Sequence, residues 1–242
     1  RLFHAFMHYA RHPTSDINFR KALCHAFDYD GWINNILGGS VVRNTQVIPN
    51  PMWGAPKNWP GYDYDLDKAK MYLSKVQGPL REIVVAGMVG YEQSMQGAAL
   101  LQNGLNRIGV QTRLVNEPFP VTSQRMRDPE QMYDVLFIWR STYYADPYNW
   151  AGELLASNRR GNGNAGFYSN PEIDKLLDQA LATTDQEKRA PLYEQVARLS
   201  SEDAAGLYIH NTKWFGPFRK NVSGVRFCPI GDGQEMRWVS VA

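Results

Sequence analysis

The run Val135-Leu136-Phe137-Ile138-Trp139 constrains this chain more than any other stretch. An apolar segment this short, bounded by Asp134 and Arg140, does not make a helix, and its lack of alternation predicts a strand buried on both faces of a sheet. The fold class that follows is α/β. In open α/β sheets ligands sit outside the carboxyl ends of strands. Here that end continues as Arg140-Ser141-Thr142-Tyr143-Tyr144-Ala145-Asp146-Pro147, dense in hydrogen-bonding and aromatic groups. Trp139, Arg140, Tyr143, Tyr144 and Asp146 are therefore candidate ligand-binding residues. The alternative is a surface loop whose aromatics close the core.

A βαβ unit supplies the neighbouring strands. Ile83-Val84-Val85-Ala86 reads as a strand, Gln93 to Ile108 as a helix ended by Gly109, and Val110, Thr112 and Leu114 as a second strand. A helical crossover predicts parallel pairing. The loop Met88-Val89-Gly90-Tyr91 then leaves the same sheet edge as Arg140, which makes Met88 and Tyr91 candidates too.

Around this centre the chain opens with a strand over 2–10. Ser15-Asp16 offers a cap, and Phe19, Ala22, Leu23, Ala26 and Phe27 form one helical face. A short second helix carries Trp32, Ile33, Ile36 and Leu37 to Gly38-Gly39. Residues 40–66 are irregular, after which Asp67 is the expected cap of a helix through Val76. Asn170, with Pro171 at the first helical position, starts another helix. Asp185 starts the next, which runs to about Glu202, with Pro191 expected to bend it or delay its start. Leu207-Tyr208-Ile209 is a strand. The rest is extended and rich in Gly, Pro and aromatics, with no helix to cover it.

Composition excludes several classes. Formal charge is +2 with both signs interspersed, so nothing points to nucleic acid. No apolar run approaches the ~20 residues of a membrane helix. Cys24 and Cys228 lie far apart and outside any CxxC, so the expectation is two separate buried thiols, a single disulfide being the alternative. Aromatic content is 12%, with seven Trp and thirteen Tyr, side chains that fill cores and also line stacking pockets.

Motifs are few. Gly161-x-Gly163-x-x-Gly166 matches the dinucleotide fingerprint in letters, but no strand precedes it and no helix begins at its last glycine, so NAD is rejected and no cofactor is expected. His4, His8 and His12 share a strand face with the outer pair too distant for one metal. His4 and His8 remain as cleft-lining candidates beside the reading of ordinary half-buried histidines. Arg140 is the most informative single residue. It is placed either to take a ligand carboxylate bidentately or to pair with Asp134 or Asp146.

Several stretches, taken in order, resemble one family: residues 19–39 (FRKALCHAFDYDGWINNILGG), 62–73 (YDYDLDKAKMYL), the helix and Ile-Gly-Val at 98–110, 143–150 (YYADPYNW) and 164–210. They are similar to the extracellular solute-binding proteins of ABC importers, in the family 5 branch that takes up oligopeptides, dipeptides and nickel chelates. The resemblance implies a two-lobed, type II periplasmic-binding-protein-like fold of which this chain is the carboxyl-terminal lobe. Residues 1–10 would be a strand crossing from an amino-terminal lobe, 11–206 the lobe itself, and 207–242 a return segment. It implies a periplasmic or extracytoplasmic setting, a peptide or small-molecule ligand, an ABC permease as membrane partner, and no catalysis. The chain begins at Arg1 with no signal-like segment and goes straight into a strand, which fits a piece of a larger protein. Peptide binders of this type commonly carry an aromatic residue and then an acid, which holds the ligand's α-ammonium, before the Asp-Pro pair. Here those positions are Arg140 and Tyr143, so the resemblance implies a ligand that need not be a free-amine peptide. A sensor or chaperone-like module on the same fold is the second reading, and an α/β hydrolase or transferase the third.

Overall fold

Ile83–Met88 (β3), Glu92–Arg107 (α3) and Thr112–Glu117 (β4) form the expected βαβ unit, and β3 and β4 pair in parallel from Ile83↔Thr112 to Met88↔Glu117. They belong to a six-stranded sheet in the computed structural model, which describes residues 1–228, 230 and 234–242. The remaining strands are Leu2–Met7 (β1), Val41–Arg43 (β2), Val135–Arg140 (β5) and Gly206–Thr212 (β6), and the order is β2-β6-β1-β5-β3-β4. Strand β5 runs parallel to β3, whereas β1 is antiparallel to both β5 and β6. The boundaries expected at residues 10 and 207 thus set aside two strands that lie in the middle of this sheet.

Alternation along the strands sorts the core into two layers. From β1, Phe3, Ala5 and Met7 face helix Ile17–Ala26 (α1) and α3, together with Val85, Val135, Phe137, Leu207 and Ile209. Leu2 and Phe6 face the other way, joining Leu136 and a layer built by Ala151–Leu155 (α5), Pro171–Leu181 (α6) and Gln186–Glu202 (α7). The α1 and α3 layer approaches closely at Gly104, where a Cβ would lie 1.9 Å from the carbonyl oxygen of Ala26.

Local signals placed most helix starts correctly. Asp16, Asn170 and Asp185 each accept backbone N–H groups as N-caps. Helix Leu66–Leu73 (α2) is capped by Asp65 rather than Asp67, because Asp65 has the extended backbone that lets its carboxylate accept from Asp67 and Lys68 N–H. Pro191 does not delay α7, which starts on the Asp185 cap and runs through it. The second short helix is a wide π-type turn, Gly31–Ile36, that drives Trp32 into the core against Phe3, rings stacked at 5.3 Å.

Other expectations are corrected by long-range contacts. Strand β1 stops at Met7, where His8 N–H bonds to Asp134 O and Tyr9 N–H to Gly166 O. Helix Phe119–Arg125 (α4), after Pro118, had no counterpart in the periodicity. Strand β5 is buried on both faces only in its first half, since Ile138, Trp139 and Arg140 are half-exposed. Beyond Thr212 the chain forms two short ribbons. Val222–Ser223 (β7) pairs with Ser240–Val241 (β10), and Arg226–Phe227 (β8) pairs with Gln234–Glu235 (β9). Of the tail expected to be extended, Pro229 and Gly231-Asp232-Gly233 lie outside the described residues. Cys24 is buried, but Cys228 is half-exposed, and both thiols are free.

Candidate functional site

Strand polarity determines which residues meet. The parallel β3 and β5 both end at one edge, at Met88 and Arg140, and the antiparallel β1 and β6 bring Leu2 and Asn211 to that same edge. A cleft of about 930 Å³ opens there, within the range of small-molecule sites. Its floor is Phe6, Ile138 and His4 from β1 and β5. One wall comes from the loop after β3 with Met88 and Tyr91, another from α4 and its exit with Phe119, Ser123, Met126 and Arg127. The turn at Gly161, Asn162 and Gly163 closes a third side, and Lys213, Trp214, Phe215, Phe227 and Cys228 close the fourth.

Of the expected site residues, Met88, Tyr91, Trp139, Arg140 and Tyr143 line this cleft together. Tyr91 stands 6.0 Å from the Trp139 ring, which packs at 4.7 Å on Phe3. Gly90, at φ 84°, makes the turn that turns Tyr91 back toward the strands. Ser94 fixes the loop's exit by donating from Oγ to Phe137 O at 2.6 Å and accepting from Met88 N–H at 3.0 Å.

Three expected residues lie elsewhere. His8 is at the opposite end of β1, ~20 Å away by strand rise, where its Nε2 meets Pro129 O at 2.8 Å. Asp146 is a structural carboxylate. It caps the turn at Tyr148 N–H and takes both guanidinium arms of Arg189, at 2.7 and 3.0 Å. Tyr144 does not line the cleft, and its hydroxyl lies 3.5 Å from Glu153.

Arg140 has neither expected carboxylate as partner. Asp134, fully buried, is held by Arg81 near the opposite edge, and Asp146 by Arg189. Instead Arg140 Nε donates to Asn149 O at 3.0 Å, its Nη2 lies 3.6 Å from Glu153 Oε2, and its Cζ sits 4.9 Å from the Tyr143 ring centre. Glu153 also pairs with Arg159. Burial pulls the Arg140 pKa below its ordinary value, although a guanidinium stays charged. Asn149, fully buried, pins the loop beneath it by donating to Ser141 O and accepting from Tyr143 N–H.

His4 reaches the cleft from β1. It is 2% exposed, and its Nε2 is buried without a partner. Desolvation first, and then the charge of Arg140, pull its pKa down to about 3, so the ring is neutral at ordinary pH.

The glycine motif is a packing turn. Asn164, fully buried, donates to Leu155, Ala156 and Tyr168 carbonyls and accepts from Tyr168 N–H. A Cβ on Gly163 would lie 2.5 Å from Glu153 O. This turn, α4 and the segment after Thr212 were missed as site elements, because no local signal marks them as sharing an edge with β5. For α4 the clue available was its position directly after the carboxyl end of β4.

The model of the bacterial extracellular solute-binding proteins, family 5 Middle, matches residues 1–162. The chain belongs to that family. Among its relatives, the probable D,D-dipeptide-binding periplasmic protein DdpA of Escherichia coli K12 is 30% identical over 231 residues, covering 95% of this chain and 44% of that protein. Heme-binding protein A of Haemophilus influenzae is 26% identical over 227 residues, 90% of this chain and 41% of that one. The chain thus spans less than half the length of these relatives. Among solved structures, the periplasmic binding protein DppA of Helicobacter pylori, in complex with peptide STSA, superposes with a TM-score of 0.87 at 22% identity. That match covers 99% of this chain and 47% of the other. The family 5 chain therefore has the α/β binding-protein fold of a single lobe, and the cleft lies on its sheet's carboxyl edge.

Proposed function

We propose that this chain is one lobe of the substrate-binding component of an ABC import system. It captures a peptide or related small solute in a cleft shared with an amino-terminal lobe and delivers it to a membrane permease. The observation that carries the reading is the open cleft itself, where aromatic rings and hydrogen-bonding groups from six separate segments converge at the carboxyl edge of the sheet. The family membership and the named relatives, which are binding proteins, support a binder rather than an enzyme and an extracytoplasmic setting. In this reading residues 1–10 and 207–242 carry the chain from and back toward the amino-terminal lobe, while β1 and β6 remain in this sheet.

The test is a thermal-shift panel on the full-length protein with free peptides, metal chelates and organic acids, followed by small-angle scattering. A true ligand at 100 times its Kd adds about 2.7 kcal/mol of stability, and closure of two lobes reduces the radius of gyration. A protein that binds none of these compounds, or that turns one of them over, would overturn the assignment.

A further inference from the structure

The cleft has a one-sided charge. Arg1, Arg127, Arg140 and Lys213 line it, and no carboxylate does so among the described residues. Glu153, the acid paired with Arg140, is shared with Arg159, which leaves that cluster one positive charge in excess.

Arg140 is also under-used. A guanidinium has five N–H donors. Its one hydrogen bond within the described residues is from Nε to Asn149 O, and Glu153 at 3.6 Å is beyond hydrogen-bond distance. The side chain is held in place by Asn149 and by the Tyr143 ring, with its remaining donors unassigned. His4 shows the same incompleteness on the same face of the sheet. Leu2, His4 and Phe6 alternate along β1 opposite Arg140, Ile138 and Leu136 of β5, and the buried Nε2 of His4 has no partner. A buried polar atom left unpaired is costly, and a ligand atom is a natural partner for one at a cleft floor.

We propose that this cleft selects an anionic solute, with a carboxylate and no free ammonium at its buried end, which Arg140 clamps while His4 Nε2 supplies a neutral hydrogen bond. The proposal rests on the binding-protein reading above and narrows its substrate class. An ammonium at this end would meet Arg140 with no free carboxylate to neutralise it. A carboxylate meets a planar fork with donors to spare.

The experiment is isothermal titration of the full-length protein with four probes: dialanine, N-acetyl-dialanine, the methyl ester of N-acetyl-dialanine, and glutarate. N-acetyl-dialanine or glutarate is expected to bind, with the ester about 10–100-fold weaker than its parent acid, the range of hydrogen bonds to charged groups. In Arg140→Gln the acid and ester should become equal within about threefold. His4→Phe should weaken acid and ester alike. Because the acid-to-ester ratio is measured first in the unmodified protein, an Arg140→Gln variant that fails to fold does not shield the proposal. Dialanine binding more tightly than its acetylated form, or acid and ester binding equally, overturns the anionic selectivity and leaves the binding-protein reading standing. Failure of both anionic probes also overturns it, and the wider panel above then decides separately whether the protein binds solutes at all.

Discussion

Lowering the pH from 7 to 5 should cost this protein about 4 kcal/mol of folding stability, through two histidines that the fold keeps neutral. His4 is 2% exposed with an unpartnered Nε2. His210 is fully buried and accepts from Trp32 Nε1 on its Nδ1 at 3.0 Å. Desolvation brings each pKa down to about 3, helped by Arg140 beside His4 and by Arg43 near His210. An unfolded histidine titrates near 6.5. Between those values the unfolded chain binds protons that the folded chain does not, so stability is unaffected above pH 6.5 and is lost steadily as the pH falls toward 3. Each histidine contributes about 1.4 kcal/mol per pH unit, hence about 2 kcal/mol apiece at pH 5. Burial also lowers the pKa of His8, which adds to the loss. Asp63 and Glu117, held below the usual carboxylate range by Lys68 and Arg125, lose their contributions only at lower pH, so the interval from 6.5 to 5 isolates the histidines. The assay is urea unfolding followed by tryptophan fluorescence across this interval. His4→Leu removes one titrating group and should reduce the slope by about 1.4 kcal/mol per pH unit. A stability that is flat from pH 7 to 5, or a slope unchanged in the variant, would refute the reasoning.

Two other substitutions probe packing and the role of Asp146. Gly104→Ala places a methyl 1.9 Å from Ala26 O, so α1 and α3 must separate. The expected cost is about 1–3 kcal/mol or more, read as a lower Tm, and an unchanged Tm would show that the helices yield freely. Asp146→Asn weakens the bidentate Arg189 contact and should lower stability by about 1–3 kcal/mol. Solute affinity should stay within about twofold, because Asp146 does not line the cleft. A loss of affinity at unchanged Tm would return Asp146 to the site.

Most strands and helix starts were legible because their causes are local, whereas β2, within the stretch expected to be irregular, exists through its pairing with β6. The apolar run 135–139 cannot be solvated, Asn170 and Asp185 cap from within their own turns, and the βαβ crossover dictates parallel pairing. Even the edge that carries the cleft followed from strand direction, which is why Met88, Tyr91, Trp139, Arg140 and Tyr143 were found together. Misplaced features depend on contacts distant in sequence. His8 faces Pro129 because β1 is antiparallel to β5, which puts its far end at the wrong edge.

Most elements, the parallel βαβ pairing and the family were thus readable from local signals, since backbone propensity, capping and apolar period act over a few residues. The charge of the site was set by long-range packing. Whether an arginine is free or neutralised depends on which carboxylates the chain path brings within a few ångströms, and Coulomb energy follows that distance rather than sequence spacing. Asp134 is committed to Arg81, Asp146 to Arg189, and Glu153 is divided between Arg140 and Arg159. That distribution of partners leaves the cleft positive.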